Sequence, residues 1–363
     1  MLQELMLNLK VVSILALVNS FLLVYYIIPK ISWVITSINL NDKPDSRSSH
    51  SISTPTMAGI SFYITLILAM FFIQYFDTEH IGLNLIASST LVFMVGVKDD
   101  LVVSTPRVKL VLESLATLFL FFNSAMEVTN LHGFLGIYEI PEFIAYIGSV
   151  LIALTIINAY NLIDGIDGLA ATVGLVIFSI FGLMFYVLHQ YFYFLLCLSL
   201  IGMLLAYLVY NFSIENKVFM GDTGSLLIGF CIAFLTLKFI AINVSNYNVL
   251  NFKPENGMII VAAILCIPIC DLFRVIGVRL LNGKSPFFPD RNHSHHILID
   301  NGMSHFKASM LSGLINYIVV IVFIWLSTIF NSIVMITILF MGFGIFLILF
   351  YILRKKIKKK KIK

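Results

Sequence analysis

Apolar runs long enough to cross a bilayer recur from one end of this chain to the other. Hydrocarbon offers backbone N–H and C=O groups no partner, so such runs are restricted to helices that bond internally. Composition agrees: 60% of the 363 residues are hydrophobic and 12% are charged, where a soluble domain carries roughly twice that charge. The expectation is an all-α, polytopic integral membrane protein of about eleven transmembrane helices, each near ~20 residues. Their approximate extents are 11–29, 58–76, 81–97, 108–125, 142–160, 169–188, 191–211, 223–242, 257–280, 309–328 and 332–353. Residues 1–353 would form a single transmembrane domain, and 354–363 a basic cytoplasmic tail. The N-terminus has a weak basic region and no small-residue cleavage site, so it reads as the first span. The formal net charge of +4 comes largely from the tail. No basic face is interleaved with aromatics, so nucleic acid is not an expected partner. Cys197, Cys231, Cys266 and Cys270 all lie in apolar runs. Thiols there act as small apolar groups, not as a disulfide framework or a metal site.

Lys and Arg mark cytoplasmic loops. With Arg354 to Lys363 placed inside, Lys30, Lys43, Arg47, Lys98, Arg107, Lys109, Lys217, Lys284, Arg291 and Lys307 also fall at the inner side. Only Lys10, Lys238 and Lys253 fall near the outer side. An odd number of spans then puts the N-terminus out and the C-terminus in. The loop 126–141 holds Glu127 and Glu139 and no basic residue, as an outer loop can. The polar motifs lie in 41–59, 98–109, 158–168, 211–225 and 284–296, all on the cytoplasmic face. No internal repeat stands out, which weighs against an inverted-repeat transporter.

Four motifs carry chemistry. Asp99-Asp100 closes the third span. Adjacent carboxylates at a membrane edge need a cation or water, and such a pair can hold Mg²⁺ or accept a proton. A solvated pair balanced by Lys98 or Arg107 is the plain alternative. Asn158, Asn161 and Asp164 recur every third residue and share a helix face, with Asp167 in the turn beyond. Asp-Gly is ordinary turn chemistry, but two asparagines on an apolar face call for a partner such as a nucleotide or a hydrated metal. Asp222, in Phe219-Met-Gly-Asp-Thr-Gly-Ser225, fits either an N-cap for the eighth span or a carboxylate beside a phosphate and its metal. Asp290-Arg291-Asn-His293-Ser-His295-His296 packs three histidines into four positions. Zn²⁺ is the first thought, yet the nearby acids suit Mg²⁺ better, and histidine and arginine donors also grip a diphosphate. Collectively these are metal ligands, a cationic grip and a base, the set phosphoryl transfer needs.

The ordered motifs resemble a known family. They are Asp42-Lys-Pro-Asp-Ser-Arg47-Ser-Ser-His50, Thr54-Pro-Thr-Met-Ala-Gly59, Asp99-Asp100, Pro106-Arg-Val-Lys109-Leu, the Asn158–Gly168 stretch, Phe219–Ser225 and Asp290–His296. They are similar to those of bacterial polyprenyl-phosphate N-acetylhexosamine-1-phosphate transferases, relatives of phospho-N-acetylmuramoyl-pentapeptide transferase. The resemblance implies an enzyme of the bacterial inner membrane acting on a UDP-N-acetylhexosamine and undecaprenyl phosphate among membrane lipids, with room for a homodimer. It implies Mg²⁺, with Mn²⁺ as a substitute, held by Asp222 with Asn161 and Asp99. Asp99, Asp100, Asp222 and Lys109 would be catalytic, Asp99 as proton acceptor. Asn158, Asn161, Asp164 and Asp167 would bind the nucleotide. Arg291, His293, His295 and His296 would hold the diphosphate, and Arg47 and His50 would meet the lipid phosphate. The histidine loop is compact, which favours UDP-N-acetylglucosamine over the muramoyl-pentapeptide. Ala58, where a second glycine is usual, and Ile297, where arginine is frequent, depart from the pattern. So does 211–222, which lacks a usual proline and looks one residue longer. The same reaction on another UDP-sugar is the nearest alternative. An ion-coupled transporter is the rival from another class, but its polar residues belong near the bilayer midplane.

Overall fold

The computed structural model describes residues 8–38, 40, 54–102, 105–243, 247, 249–286 and 290–362, without the side chains of 358–362. The expected site residues Arg47 and His50 lie outside the described residues. Helices make up most of the chain: α1 (Leu9–Ser37), α2 (Gly59–Ile73), α3 (Gly82–Leu101), α4 (Pro106–Leu120), α5 (Glu142–Ile163), α6 (Leu169–Val187), α7 (Tyr191–Asn211) and α8 (Gly221–Ala241). Then come α9 (Gly257–Ile264), α10 (Cys266–Leu281), α11 (Ser294–Asp300), α12 (His305–Ile329) and α13 (Ser332–Ile362). The basic end of the sequence continues α13 to Ile362. One antiparallel hairpin, β1 (Asn130–Phe134) with β2 (Ile137–Glu139), interrupts the helical plan in the 126–141 loop.

Eight helices among the described residues are long and apolar enough to cross a membrane, or nine if the bent pair α9–α10 counts as one span. The third and fourth expected spans fall outside that set. The reason for α3 is its charged end, Lys98-Asp99-Asp100, and α4 has only 15 residues. The expected ninth span, 257–280, is not straight but bends by 71°. Pro268 explains the break, because its ring clashes with the carbonyl of Ile264 four residues back and it has no N–H to donate. The backbone groups freed there are recovered by the buried Asn316 of α12. Its Oδ1 accepts from the N–H of Ile267 at 3.1 Å, and its Nδ2 donates to the carbonyl of Ile264 at 3.0 Å.

α8 is the hub. Within its apolar stretch 94% of residues are buried, against 11% in α13. A helix apolar all round belongs inside a bundle. Close approach around its start depends on glycine. A Cβ on Gly59 would stand 2.1 Å from the N of Gly224, and one on Gly96 2.4 Å from the Cα of Thr223. Small residues let backbones meet where hydrophobic driving force between helices is absent. The 54–59 motif is bound edge to edge onto 219–220: Phe219 donates to Pro55, Ala58 to Phe219 and Gly59 to Met220, at 2.9, 3.2 and 3.3 Å.

Helix ends gather in two groups. One holds the end of α3, the start of α4, the end of α5 and the start of α8, joined by the side chains described below. The other holds Glu79 before α3, Asn123 after α4, His132 of the hairpin and the end of α8. There Lys238 meets Glu79 at 2.6 Å, Asn123 donates to the carbonyl of Glu79 at 2.8 Å, and His132 Nε2 meets the carbonyl of Ile240 at 2.9 Å. The chain therefore passes from one end to the other through α3 and again through α4.

Candidate active site

Local sequence chemistry fixes where the site residues stand. α4 starts on Pro106, whose missing N–H costs nothing in the first turn. α8 starts at Gly221, at φ +71°, where a Cβ would crowd Asp100 Oδ2 at 2.8 Å and the N of Met57 at 3.0 Å. Glycine is needed there on both counts.

Asp99, Lys109, Asn161 and Asp222, which come from four helices, converge. Lys109 Nζ lies 3.2 Å from Asp99 Oδ2 and 3.6 Å from Asp222 Oδ2. Asn161 Nδ2 lies 2.6 Å from Asp222 Oδ1 and 2.7 Å from Ser225 Oγ. One ammonium thus serves two carboxylates. The side chain of Asp222 is 35% exposed, while those of Asp99 and Lys109 are only 11% and 13% exposed. The acid excess opens outward at Asp222.

Asp100 is differently engaged. Its carboxylate accepts the N–H of Asp222 at 2.8 Å, the N–H of Thr223 at 3.0 Å and the Thr223 hydroxyl. The N-cap position of α8 is Met220, which supplies no capping side chain. Asp100 therefore does from a neighbouring helix what a local N-cap does, and Asp222 sits inside the first turn. Asn158 also faces protein: its Nδ2 donates to Glu113 Oε2 at 2.7 Å and to the carbonyl of Leu154 at 2.9 Å.

Past the end of α5, Asp164 and Asp167 part ways. Asp167 lies 2.6 Å from Lys217 Nζ and 2.8 Å from His305 Nδ1, and its carbonyl accepts from Ser309 at 2.6 Å. Burial raises its pKa, but His305 and Lys217 outweigh that and hold it below the usual carboxylate value. Among the described residues Asp164 has no such partner. Burial, and then the charges of Asp222, Asp100 and Asp167, push its carboxyl up to about 7.

The histidine loop folds over this region. His295 is buried, both ring nitrogens have no partner among the described residues, and a Cβ on Gly165 would stand 2.2 Å from its Nε2. Its ring lies 5.5 Å from that of His293 and 4.3 Å from that of His296. Burial, with the neighbouring His296, holds the pKa of His295 well below the usual imidazole value. Burial and then Arg291 bring His296 down to about 4. Only His296 of the three is half-exposed. Arg291 meets Asp300 at 3.5 Å. Asp290 pairs with the buried Arg279 at 3.3 Å, which pins the loop to α10.

Several members were not among the sequence candidates: Glu113, Lys217, Thr223, Ser225, Asp271, Arg279 and His305. Glu113 and Asp271 carried a usable signal, since a carboxylate inside an apolar run calls for a named partner. The reach of Lys217 and His305 to Asp167 had no local signature.

Among the described residues no three His, Cys, Asp or Glu side chains converge to cage a metal. The hard oxygens of Asp99, Asp222 and the Asn161 amide suit Mg²⁺ or Mn²⁺, ions that take one or two carboxylates and keep several waters. Among the described residues the site is thus acidic, partly open at Asp222 and backed by one lysine.

The family profile of glycosyl transferase family 4 matches residues 82–240, from α3 to the end of α8. The undecaprenyl-phosphate alpha-N-acetylglucosaminyl 1-phosphate transferase of Salmonella typhi is 30% identical over 282 residues, covering 77% of this chain and 74% of that one. The protein of the same name from Escherichia coli K12 is 27% identical over the same shares. A probable undecaprenyl-phosphate N-acetylglucosaminyl 1-phosphate transferase of Bacillus subtilis is 29% identical over 306 residues, 84% of this chain and 82% of that one. The chain belongs to glycosyl transferase family 4 and is a multi-pass membrane transferase.

Proposed function

We propose that this protein transfers N-acetylglucosamine 1-phosphate from UDP-N-acetylglucosamine to undecaprenyl phosphate, releasing UMP, at the cytoplasmic face of the bacterial inner membrane. One observation carries the reading: two carboxylates from different helices share a single ammonium at the exposed start of α8. The names of the relatives supply the sugar and the lipid. With α3 and α4 also crossing, the spans number about eleven, the N-terminus lies out and the C-terminus in.

Asp222, Asp99 and Asn161 would hold Mg²⁺, which when bound supplies charge neutralisation at the diphosphate. The chain's own groups do the rest. Lys109 keeps the two acids together and offers positive charge to a phosphate oxygen. Asp99 accepts the proton of the lipid phosphate. An oxygen of that phosphate attacks the phosphorus bearing the sugar; the new P–O bond forms as the bond to UMP breaks, and the electron pair leaves with UMP. Both reactants meet at one membrane rim, so proximity replaces a covalent relay. Asp100 acts through α8, holding Asp222 at the helix start. Arg291, His293 and His296 of the loop would meet the diphosphate.

Purified protein, polyprenyl phosphate, Mg²⁺ and a panel of UDP-sugars test this, with the lipid product read by mass. N-acetylglucosamine diphospholipid and equimolar UMP are expected. Absence of lipid product from every UDP-N-acetylhexosamine sinks the proposal. For sidedness, Ser46→Cys and Lys284→Cys in a cysteine-free background should react only with reagent supplied from inside. Labelling by an impermeant reagent in intact cells would reverse the orientation.

A further inference from the structure

We propose that Asp271 is a positioning residue for the diphosphate grip, acting through His293; the inference rests on the transfer reaction proposed above. Asp271 lies on α10, and its side chain is 1% exposed. A buried carboxylate is costly unless fully bonded, and this one is. Arg274 Nη2, one turn on, lies 3.0 Å from Oδ1. That pair alone would settle the charge. Yet Asp271 also accepts from the N–H of Ser294 at 2.7 Å and meets His293 Nδ1 at 2.8 Å, while Arg274 donates to the carbonyl of Asn292. Residues 292, 293 and 294 are thus all tied to one buried ion pair.

The geometry has a chemical consequence. A carboxylate can only accept, so Nδ1 of His293 carries the proton. Among the described residues Nε2 has no hydrogen-bond partner, which leaves it as the ring nitrogen available to a ligand. A carboxylate behind an imidazole fixes tautomer and ring orientation and stabilises positive charge when it forms. The ring of His293 stacks at 14° on His295, and His295 packs on Gly165, next to Asp164. Asp271 thereby sets the register of α11 against the turn that carries the acidic residues.

The test uses full-length enzyme in detergent with undecaprenyl phosphate, Mg²⁺ and UDP-N-acetylglucosamine. Asp271→Asn keeps the shape but has a single accepting oxygen. It is expected to lower kcat by about 10- to 100-fold, as loss of a carboxylate behind a working histidine does, with KM for the UDP-sugar nearly unchanged. In a His293→Ala background the same change should alter kcat by less than about threefold. Equal losses in both backgrounds, or a rise in KM with kcat intact, would assign Asp271 a merely structural role and overturn the proposal. If Asp271→Asn does not fold, Asp271→Ala assayed with added formate replaces it: partial recovery of kcat by formate but not chloride, lost in the His293→Ala background, supports the proposal. Equal behaviour of the two anions overturns it. Wild-type enzyme that makes no lipid product would instead sink the proposed reaction, so the two failures are distinguishable.

Discussion

A lysine stands among carboxylates at each end of α8, and the contrast between them separates a proposed site from a strut. At the C-terminal end Lys238, 4% exposed, meets one acid, Glu79, at 2.6 Å; Tyr193 gives that acid its hydroxyl and the lysine its ring face. Charges there pair one to one, with the lysine buried and Glu79 27% exposed. At the N-terminal end Lys109 is shared between Asp99 and Asp222 at longer distances, and Asp222 stays partly open. A cavity of about 570 Å³ lies at the C-terminal end, beside Glu79, Glu127, His132 and Lys238. Among the described residues, two acids that share one lysine at a helix start distinguish the proposed reactive end from the other.

Four measurements can break or sharpen that contrast. The largest effect belongs to Asp222→Asn, which should cut turnover by about a thousandfold with the fold retained, because an amide cannot replace a charge on a hard cation. Near wild-type rate at limiting Mg²⁺ would remove Asp222 from the metal site. At the other end Lys238→Met takes the ammonium from the partly exposed Glu79, at a cost of up to about 3 kcal/mol of stability. Turnover per folded molecule should not change. Thermal denaturation and an active-fraction assay read both, and a selective loss of turnover would give the balanced end a catalytic part.

A smaller effect is expected of Asn161→Ala. It removes a hydrogen bond to a charged group, worth about 1.5–3 kcal/mol, so kcat should fall by about 10- to 100-fold. Steady-state kinetics that show only a KM change would place Asn161 in ground-state binding. The smallest effect is a pH dependence. The carboxyl of Asp164 is pushed up to about 7 from an ordinary value of 3.8. Its folded value exceeds its unfolded one, so its contribution to stability is complete below about 4 and is lost as pH rises through about 7. Asp164→Asn should flatten that part of the profile of melting temperature against pH. An unchanged slope between pH 4 and 7 would show that Asp164 is ionised throughout.

Membrane-length helices, their order and most of their limits were legible in the sequence, because hydrocarbon admits so few backbone conformations. The expected 191–211 span coincides with α7, and 223–242 begins two residues after α8 does. Within the site, Asp99, Lys109, Asn161 and Asp222 do come together. The histidines were legible as a cluster but not as individuals: His293 and His295 are buried and His296 is half-exposed.

Sequence alone settled which residue types lie where along the chain, since apolar length, turn glycines and local polar motifs act over a few residues. Tertiary structure alone decided what each polar group faces. Asp100 caps α8 through the N–H of Asp222, 122 residues later, and Asp271 reaches a histidine 22 residues on. Pro268 foretells a kink, but only packing supplies Asn316 to repair it. The physical reason is common to all three. A buried donor or acceptor must find a partner, and which partner it finds depends on how the helices pack, not on its own neighbours in sequence.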